Sequence, residues 1–153
     1  MANSYTQIYI QVVFAVKGRK NLLKKEWRYD VFKYISGIIE NKKHKSIIVN
    51  GYTNHVHCFI GLKPHMAISD LVRDIKNNSS NYINKHQWLD EKFEWQPGYG
   101  CFSYSPDAVK NVYQYILNQE EHHSKKDFLK EYTQLLDEYE IDWHPDYIFD
   151  RIE

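Results

Sequence analysis

Ile8, Ile10, Val12, Phe14 and Val16 stand at every second position of the chain, the period of a strand that buries one face. Gly18 ends this run. From about Lys24 to Lys43 the apolar positions change to helical spacing, with Trp27, Val31, Tyr34, Ile35 and Ile38 on one side. Ser46 to Tyr52 and His55 to Leu62 are two short β-rich runs separated by Thr53 and Asn54, a hairpin turn, and Pro64 closes the second. Ile68, Leu71, Val72, Ile75, Ser79, Tyr82 and Ile83 mark a second helix. Phe93 to Tyr104 reads as an irregular strand interrupted by Pro97, Gly98 and Gly100. Ser105 and Pro106 then open a helix, Ser as a cap and Pro at the first helical position. This helix runs from about Pro106 to His122, and another spans Asp127 to about Glu138. The order β-α-β-β-α-β followed by helices predicts an α+β chain with the ferredoxin-like split-βαβ fold. Such a fold has an antiparallel four-stranded sheet with two helices on one face, leaving the other face for the added helices, a ligand or a second subunit.

With 153 residues, 42% of them hydrophobic, the chain is expected to form one domain spanning 1–153, with a real core. Met1 to Tyr5 carries no basic-then-apolar leader, and no apolar run approaches the roughly 20 residues that span a bilayer. Cys58 and Cys101 are too few for a disulfide framework, so the expected compartment is the cytoplasm. Twenty basic and twenty acidic residues cancel, which removes the basic excess usual in proteins that coat duplex nucleic acid. The cancellation is uneven along the chain. Lysines and Arg19 cluster in the first third, whereas Glu131, Asp137, Glu138, Glu140, Asp142, Asp146, Asp150 and Glu153 make the tail acidic. Any nucleic-acid contact is therefore expected from the body of the domain, with Lys17, Arg19, Arg73, Lys76 and Asn77 as candidates. Thirteen tyrosines offer stacking surfaces for bases, although most are expected to be ordinary core and surface residues.

Two segments carry candidate chemistry. Strand alternation places His55 and His57 on one face, with Val56, Cys58 and Ile60 on the other. Two imidazoles at that spacing can share a divalent ion, and a chance pair in a histidine-rich chain is an equally open reading. Further on, Tyr115 stands one helical turn before Asn118 and Gln119, beside an apolar stripe of Val109, Val112 and Ile116. Taken alone, this is also what an amphipathic helix with a boundary tyrosine looks like. His122 and His123 read as a solvated helix end, well placed against the negative end of the helix dipole.

Together the segments say more. His-hydrophobic-His at 55–57, followed by Tyr115-Ile116-Leu117-Asn118-Gln119-Glu120-Glu121-His122-His123, resembles the single-tyrosine HUH transposases of the smallest bacterial insertion sequences and their repeat-associated domesticated relatives. The likeness extends to Ser4–Tyr9, Leu71–Ser80 and Trp95–Ser103, and so covers nearly the whole chain. It implies a DNA-cleaving, strand-transferring enzyme acting on single-stranded, hairpin-containing DNA through a 5′-phosphotyrosine intermediate. It further implies that Tyr115 is the nucleophile and that His55, His57 and Gln119 hold Mg²⁺ or Mn²⁺. A homodimer is also implied, whose tyrosine helix can complete the partner's His-His site. Asn54 departs from the acidic residue that relatives often carry before the first His, which removes one carboxylate able to orient an imidazole. The alternative classes are a domesticated repeat-hairpin nickase and a non-catalytic ferredoxin-like nucleic-acid-binding module. The RNA-recognition signature that would favour the last of these is missing.

Overall fold

The structure is a computed structural model that describes residues 4–123 and 126–148; of the acidic tail, Asp150 and Glu153 lie outside them. Its sheet is built from β1 (Tyr9–Ala15), β2 (Lys45–Gly51), β3 (His55–Gly61) and β4 (Gly100–Tyr104) in the order β2-β3-β1-β4, with every neighbour antiparallel. This is the split-βαβ arrangement expected from the element order. The helices α1 (Arg28–Asn41) and α2 (Ile68–His86) cover one face. There Val12, Phe14, Val56, Cys58 and Ile60 from the strands meet Val31, Ile35, Ile39, Leu71 and Ile75 from the helices, all of them buried. This layer is the main core. Among the described residues, no helix is long and apolar enough to cross a membrane.

The second face takes the other side chain of each strand pair. Residues directly opposite one another in an antiparallel pair share a face, so the pairs Val13↔His57 and Ala15↔His55 put both imidazoles on the side away from α1 and α2. Two further helices cover this face, α3 (Val109–Leu117) and α5 (Phe128–Glu138), with the short α4 (Gln119–His123) between them and α6 (Pro145–Ile148) after them. Val112 and Ile116 of α3 pack on Phe59, while Phe128 and Leu136 of α5 pack with Val13, Ala15 and Phe102. The added helices are thus what occupies the face that the sequence leaves open.

Two elements differ from expectation for local reasons. The tyrosine helix, expected to run unbroken from Pro106 to His122, breaks at Asn118, whose φ of −94° and ψ of 22° leave the helical region. The Asn50 side-chain amide, on β2, donates to the carbonyls of Ile116 (2.9 Å) and Leu117 (3.1 Å). It thereby satisfies acceptors that a helix end would leave open. The expected strand from Phe93 to Tyr104 is ordered into the sheet only from Gly100 onward, with one isolated bridge from Trp95 to Val16. Pro97 and Gly98 (φ +87°) interrupt it, since proline lacks a ladder donor and glycine there adopts left-handed backbone. At the β2–β3 hairpin, a Cβ on Gly51 would stand 2.2 Å from the His55 carbonyl oxygen. Only glycine lets this turn close and set the start of the histidine strand.

Candidate active site

His55, His57, His123, one glutamate, one glutamine and one tyrosine meet beneath α3 and α5, with His122 at the edge, its Nε2 3.4 Å from Glu131. The strand supplies His55 and His57, both fully buried, with ring centroids 5.1 Å apart. The break at Asn118 brings α4 down beside them, so that Gln119 is buried with its Oε1 2.9 Å from His55 Nε2. The α5 helix lays Glu131 into the middle. One carboxylate oxygen stands 3.0 Å from His57 Nε2, 3.0 Å from His123 Nε2 and 3.5 Å from His55 Nε2. The other accepts from the Gln119 side-chain amide at 3.2 Å and takes a short hydrogen bond from the Tyr115 hydroxyl.

Each imidazole is fixed from behind. His55 Nδ1 lies 2.8 Å from Asn54 Oδ1, His57 Nδ1 2.6 Å from Gln11 Oε1, and His123 Nδ1 2.7 Å from the Lys126 carbonyl. The Gln11 amide nitrogen is committed to Tyr104 at 2.7 Å, so it is the amide oxygen that faces His57. Without a metal, the Nε2 atoms donate to Glu131 and, at His55, to Gln119 Oε1. With a metal in place, the three oxygen acceptors can hold the ring protons on Nδ1 and free the Nε2 lone pairs for it. This is the tautomer and orientation that metal-ligating histidines adopt. The missing acid before His55 is replaced functionally by an amide, because Asn54 Oδ1 occupies the orienting position. Gln11→Leu is expected to weaken Mn²⁺ binding by about 10–100-fold with little loss of fold, as measured by calorimetric titration.

The charges in this site are strongly coupled. Burial opposes the ionised form of Glu131, but the imidazoles of His57, His123 and His55 outweigh it and hold the carboxyl well below its usual range. Burial, reinforced by His57, lowers His55 well below an ordinary histidine, against the pull of Glu131. Burial and then the Glu131 charge push the Tyr115 hydroxyl upward. His55, His57, His123 and Glu131 each offer a ligand atom, all within 4.8 Å of one another. With the Gln119 amide, the donor set suits a divalent ion of intermediate softness.

The structure thus brings together all four residues singled out for chemistry, Tyr115, His55, His57 and Gln119, within one chain. It adds Glu131, His123 and Gln11. The His123 side chain is 2% exposed, so the expected solvated helix end is in fact part of the site. Of the candidate DNA contacts, Lys17 and Arg19 follow Val16, whose amide donates to the Asn54 carbonyl at 2.9 Å, at the end of the sheet that carries His55. Arg73, Lys76 and Asn77 are not brought to the site, since they stand on α2 across the sheet. Arg73 pairs with Asp70 (3.2 Å) and Asp74 (3.6 Å). Lys76 turns inward, its Nζ 2.8 Å from the Gln96 carbonyl and 2.5 Å from that of Gly98, and burial lowers its pKa to about 8.

A comparison of this chain with known families decides its kinship. The profile of the IS200-like transposases matches residues 4–119. The chain belongs to that family. No curated protein matches it. Among solved structures, a candidate transposase from Deinococcus radiodurans R1 is 20% identical, with a TM-score of 0.64 over 78% of this chain and 95% of that one. A REP-associated tyrosine transposase bound to a REP hairpin is 17% identical, with a TM-score of 0.60 over 100% of this chain and 98% of that one. These likenesses show that the IS200-like transposase shares their fold. The family match ends at Gln119, so His123 and Glu131 are supplied from beyond the matched segment.

Proposed function

We propose that this IS200-like transposase cleaves and rejoins single-stranded DNA with Tyr115, working with a divalent ion held by His55, His57, Gln119, His123 and Glu131. The observation that carries the reading is the convergence of three Nε2 atoms and the Tyr115 hydroxyl on one buried carboxylate. In the cleavage step the Tyr115 oxygen bonds to phosphorus, the bond to the 3′ oxygen breaks, and that oxygen leaves as a hydroxyl. The product is a 5′-phosphotyrosine, and attack by a 3′-hydroxyl reverses the step and reseals a strand without ATP. Glu131 accepts the Tyr115 hydrogen bond and so aims the oxygen, yet its charge also disfavours the phenolate. A divalent ion held by these residues would supply positive charge that offsets Glu131, together with Lewis-acid polarisation of a phosphate oxygen. A donor set rich in imidazole favours Mn²⁺ over Mg²⁺, which prefers oxygen ligands and retains its waters.

Hairpin recognition is supported by the fold shared with a relative that was solved on a REP hairpin, and Lys17, paired with Glu94 at 3.2 Å, and Arg19 are the candidates to meet the strand at the His55 end of the sheet. The test is incubation of a labelled hairpin oligonucleotide carrying a single-stranded flank with the protein and Mn²⁺, followed by denaturing electrophoresis. A protein–DNA adduct that disappears in EDTA supports the reading; binding without any adduct makes the chain a non-catalytic binder.

Excising a segment requires two ends to be held at once, and one Tyr115 holds one end, so the working form we propose is a homodimer with two-fold symmetry. Within the single chain Tyr115 already stands 6.0 Å in ring centroid from His57, which supports a tyrosine that acts on its own subunit's site. Mixing Tyr115→Phe protein with a His55→Ala/His57→Ala double mutant is therefore expected to leave adduct formation at background. Recovery of adduct would mean that the tyrosine helix crosses to the partner.

A further inference from the structure

A second concavity lies on the same side of the sheet and shares a wall with the active site. Phe128 stacks face to face on His55, with centroids 4.2 Å apart and planes 13° from parallel. Phe128 also packs on Tyr132, with ring centroids 5.6 Å apart, and both line a cavity of about 550 Å³, within the size range of small-molecule sites. Tyr99, Tyr132, Trp143 and Tyr147 also line it, and three of these present substantial open ring surface, Tyr99 at 38%, Trp143 at 40% and Tyr147 at 87% exposure. The Trp143 ring is held in place by its Nε1 donating to Asp137 at 2.9 Å. The loop at Pro97 and Gly98 forms part of the wall and is strapped down by Lys76 from beneath.

One polar group in this wall has no partner. Gln96 is 5% exposed, its side-chain nitrogen donates to the Ile148 carbonyl at 2.8 Å, and its Oε1 is buried without a hydrogen bond. The orientation of the amide is fixed, because a carbonyl can face only the NH₂ end. A buried acceptor left open is costly unless something donates to it. Flat aromatic walls together with one buried acceptor suit a flat ligand that carries N–H groups on its edge.

We propose that this cavity receives an unpaired nucleobase of the DNA strand whose neighbouring phosphate lies at the metal site, an inference that rests on the function proposed above. The Phe128 ring stands between the two sites, so a base beside the scissile phosphate falls at the cavity mouth. The aromatic rings take its faces by stacking, and Gln96 Oε1 accepts from its edge. Adenine, cytosine and guanine each bring an amino group to that acceptor. Thymine offers only a ring N–H flanked by two carbonyls, which would press an acceptor against the acceptors already there. The cavity is therefore a site of base selection next to the cleavage point.

The probes are fluorescein-labelled hexadeoxynucleotides of adenine, cytosine or thymine, and a hexamer of abasic sites with the same phosphates. Binding to the full chain is followed by anisotropy in EDTA, where no strand is cut. The adenine and cytosine hexamers are expected to bind about tenfold tighter than the abasic one, with the thymine hexamer between them. Trp143→Ala, a change at a half-exposed position, is expected to bring all four to the abasic level. Gln96→Leu, checked for its fold by circular dichroism, is expected to erase the preference over thymine. Equal binding of the abasic and adenine hexamers overturns the proposal, as does an unchanged preference in Trp143→Ala. A concentration-dependent size increase lost in Trp143→Ala, without base preference, assigns the cavity to a second copy of the chain and also overturns it. The adduct assay separates this outcome from the fate of the nuclease reading. Adduct formation without base-selective binding sinks the cavity proposal alone, and base-selective binding that depends on Trp143 without any adduct sinks the nuclease alone.

Discussion

Tyr115→Phe is expected to abolish the protein–DNA adduct and lower strand cleavage by at least about 10⁴-fold, the scale seen when a covalent nucleophile is removed. The substitution takes away one oxygen and nothing else. That oxygen donates to Glu131 and lies in hydrogen-bond reach of Gln119, so its loss costs about 1–3 kcal/mol of stability, the range of a hydrogen bond to a charged group. The ring still fills its place against His57 and His122, and the metal-binding side chains keep their partners. Hairpin affinity, measured by anisotropy, is therefore expected to remain at the wild-type level while the adduct band vanishes. Tyr113→Phe provides the control, since two residues along a helix point about 200° apart and, among the described residues, no hydrogen bond or ring contact ties Tyr113 to the site. Wild-type adduct yield in Tyr115→Phe would remove Tyr115 from the chemistry.

What the sequence discloses follows the range of the interactions concerned. The alternation at Ile8 to Val16 and the phase of His55 and His57 are local, and a strand of period two with one apolar face has no other way to lie. The Tyr115–Gln119 relation is local as well, although the break at Asn118 depends on Asn50, which caps the Ile116 carbonyl across 66 residues and is invisible to periodicity. Glu131 is the residue most easily missed. It contacts His57 across 74 positions and sits in a stretch whose general acidity reads as solvated surface. One signal does mark it. Phe128, Glu131 and Leu135 fall at i, i+3 and i+7, so the carboxylate occupies the buried stripe of an amphipathic helix, where an unpaired acid is costly. The same logic catches Gln11, an amide one strand over from the imidazole it orients, only once the β1–β3 register is known.

Glu131→Gln is the substitution whose sign is most informative, because the carboxylate has two possible relations to a metal ion, ligand or obstruction. As a ligand it brings the negative charge that three neutral imidazoles and an amide lack. Mn²⁺ affinity in the glutamine variant is then expected to fall on the order of 100-fold, with adduct yield recovering as Mn²⁺ is raised. Tighter Mn²⁺ binding by the variant would mean that the acid merely fills the ion's place and that α5 must withdraw for catalysis. The metal-free protein gives a second, independent reading. Because the folded-state pKa of Glu131 is depressed, its contribution to stability is present above the unfolded carboxyl value of about 4.3 and is lost as pH falls towards the folded value. Urea unfolding in EDTA is therefore expected to show the variant less stable than wild type at pH 7 by roughly 3 kcal/mol, the cost of breaking a buried charged network. The gap should narrow steadily below pH 4, as the unfolded chain takes up the proton that the folded site refuses. A gap that stays constant with pH would show that the histidines do not hold the carboxylate ionised, and the three Nε2 atoms would then have no buried charge to converge on.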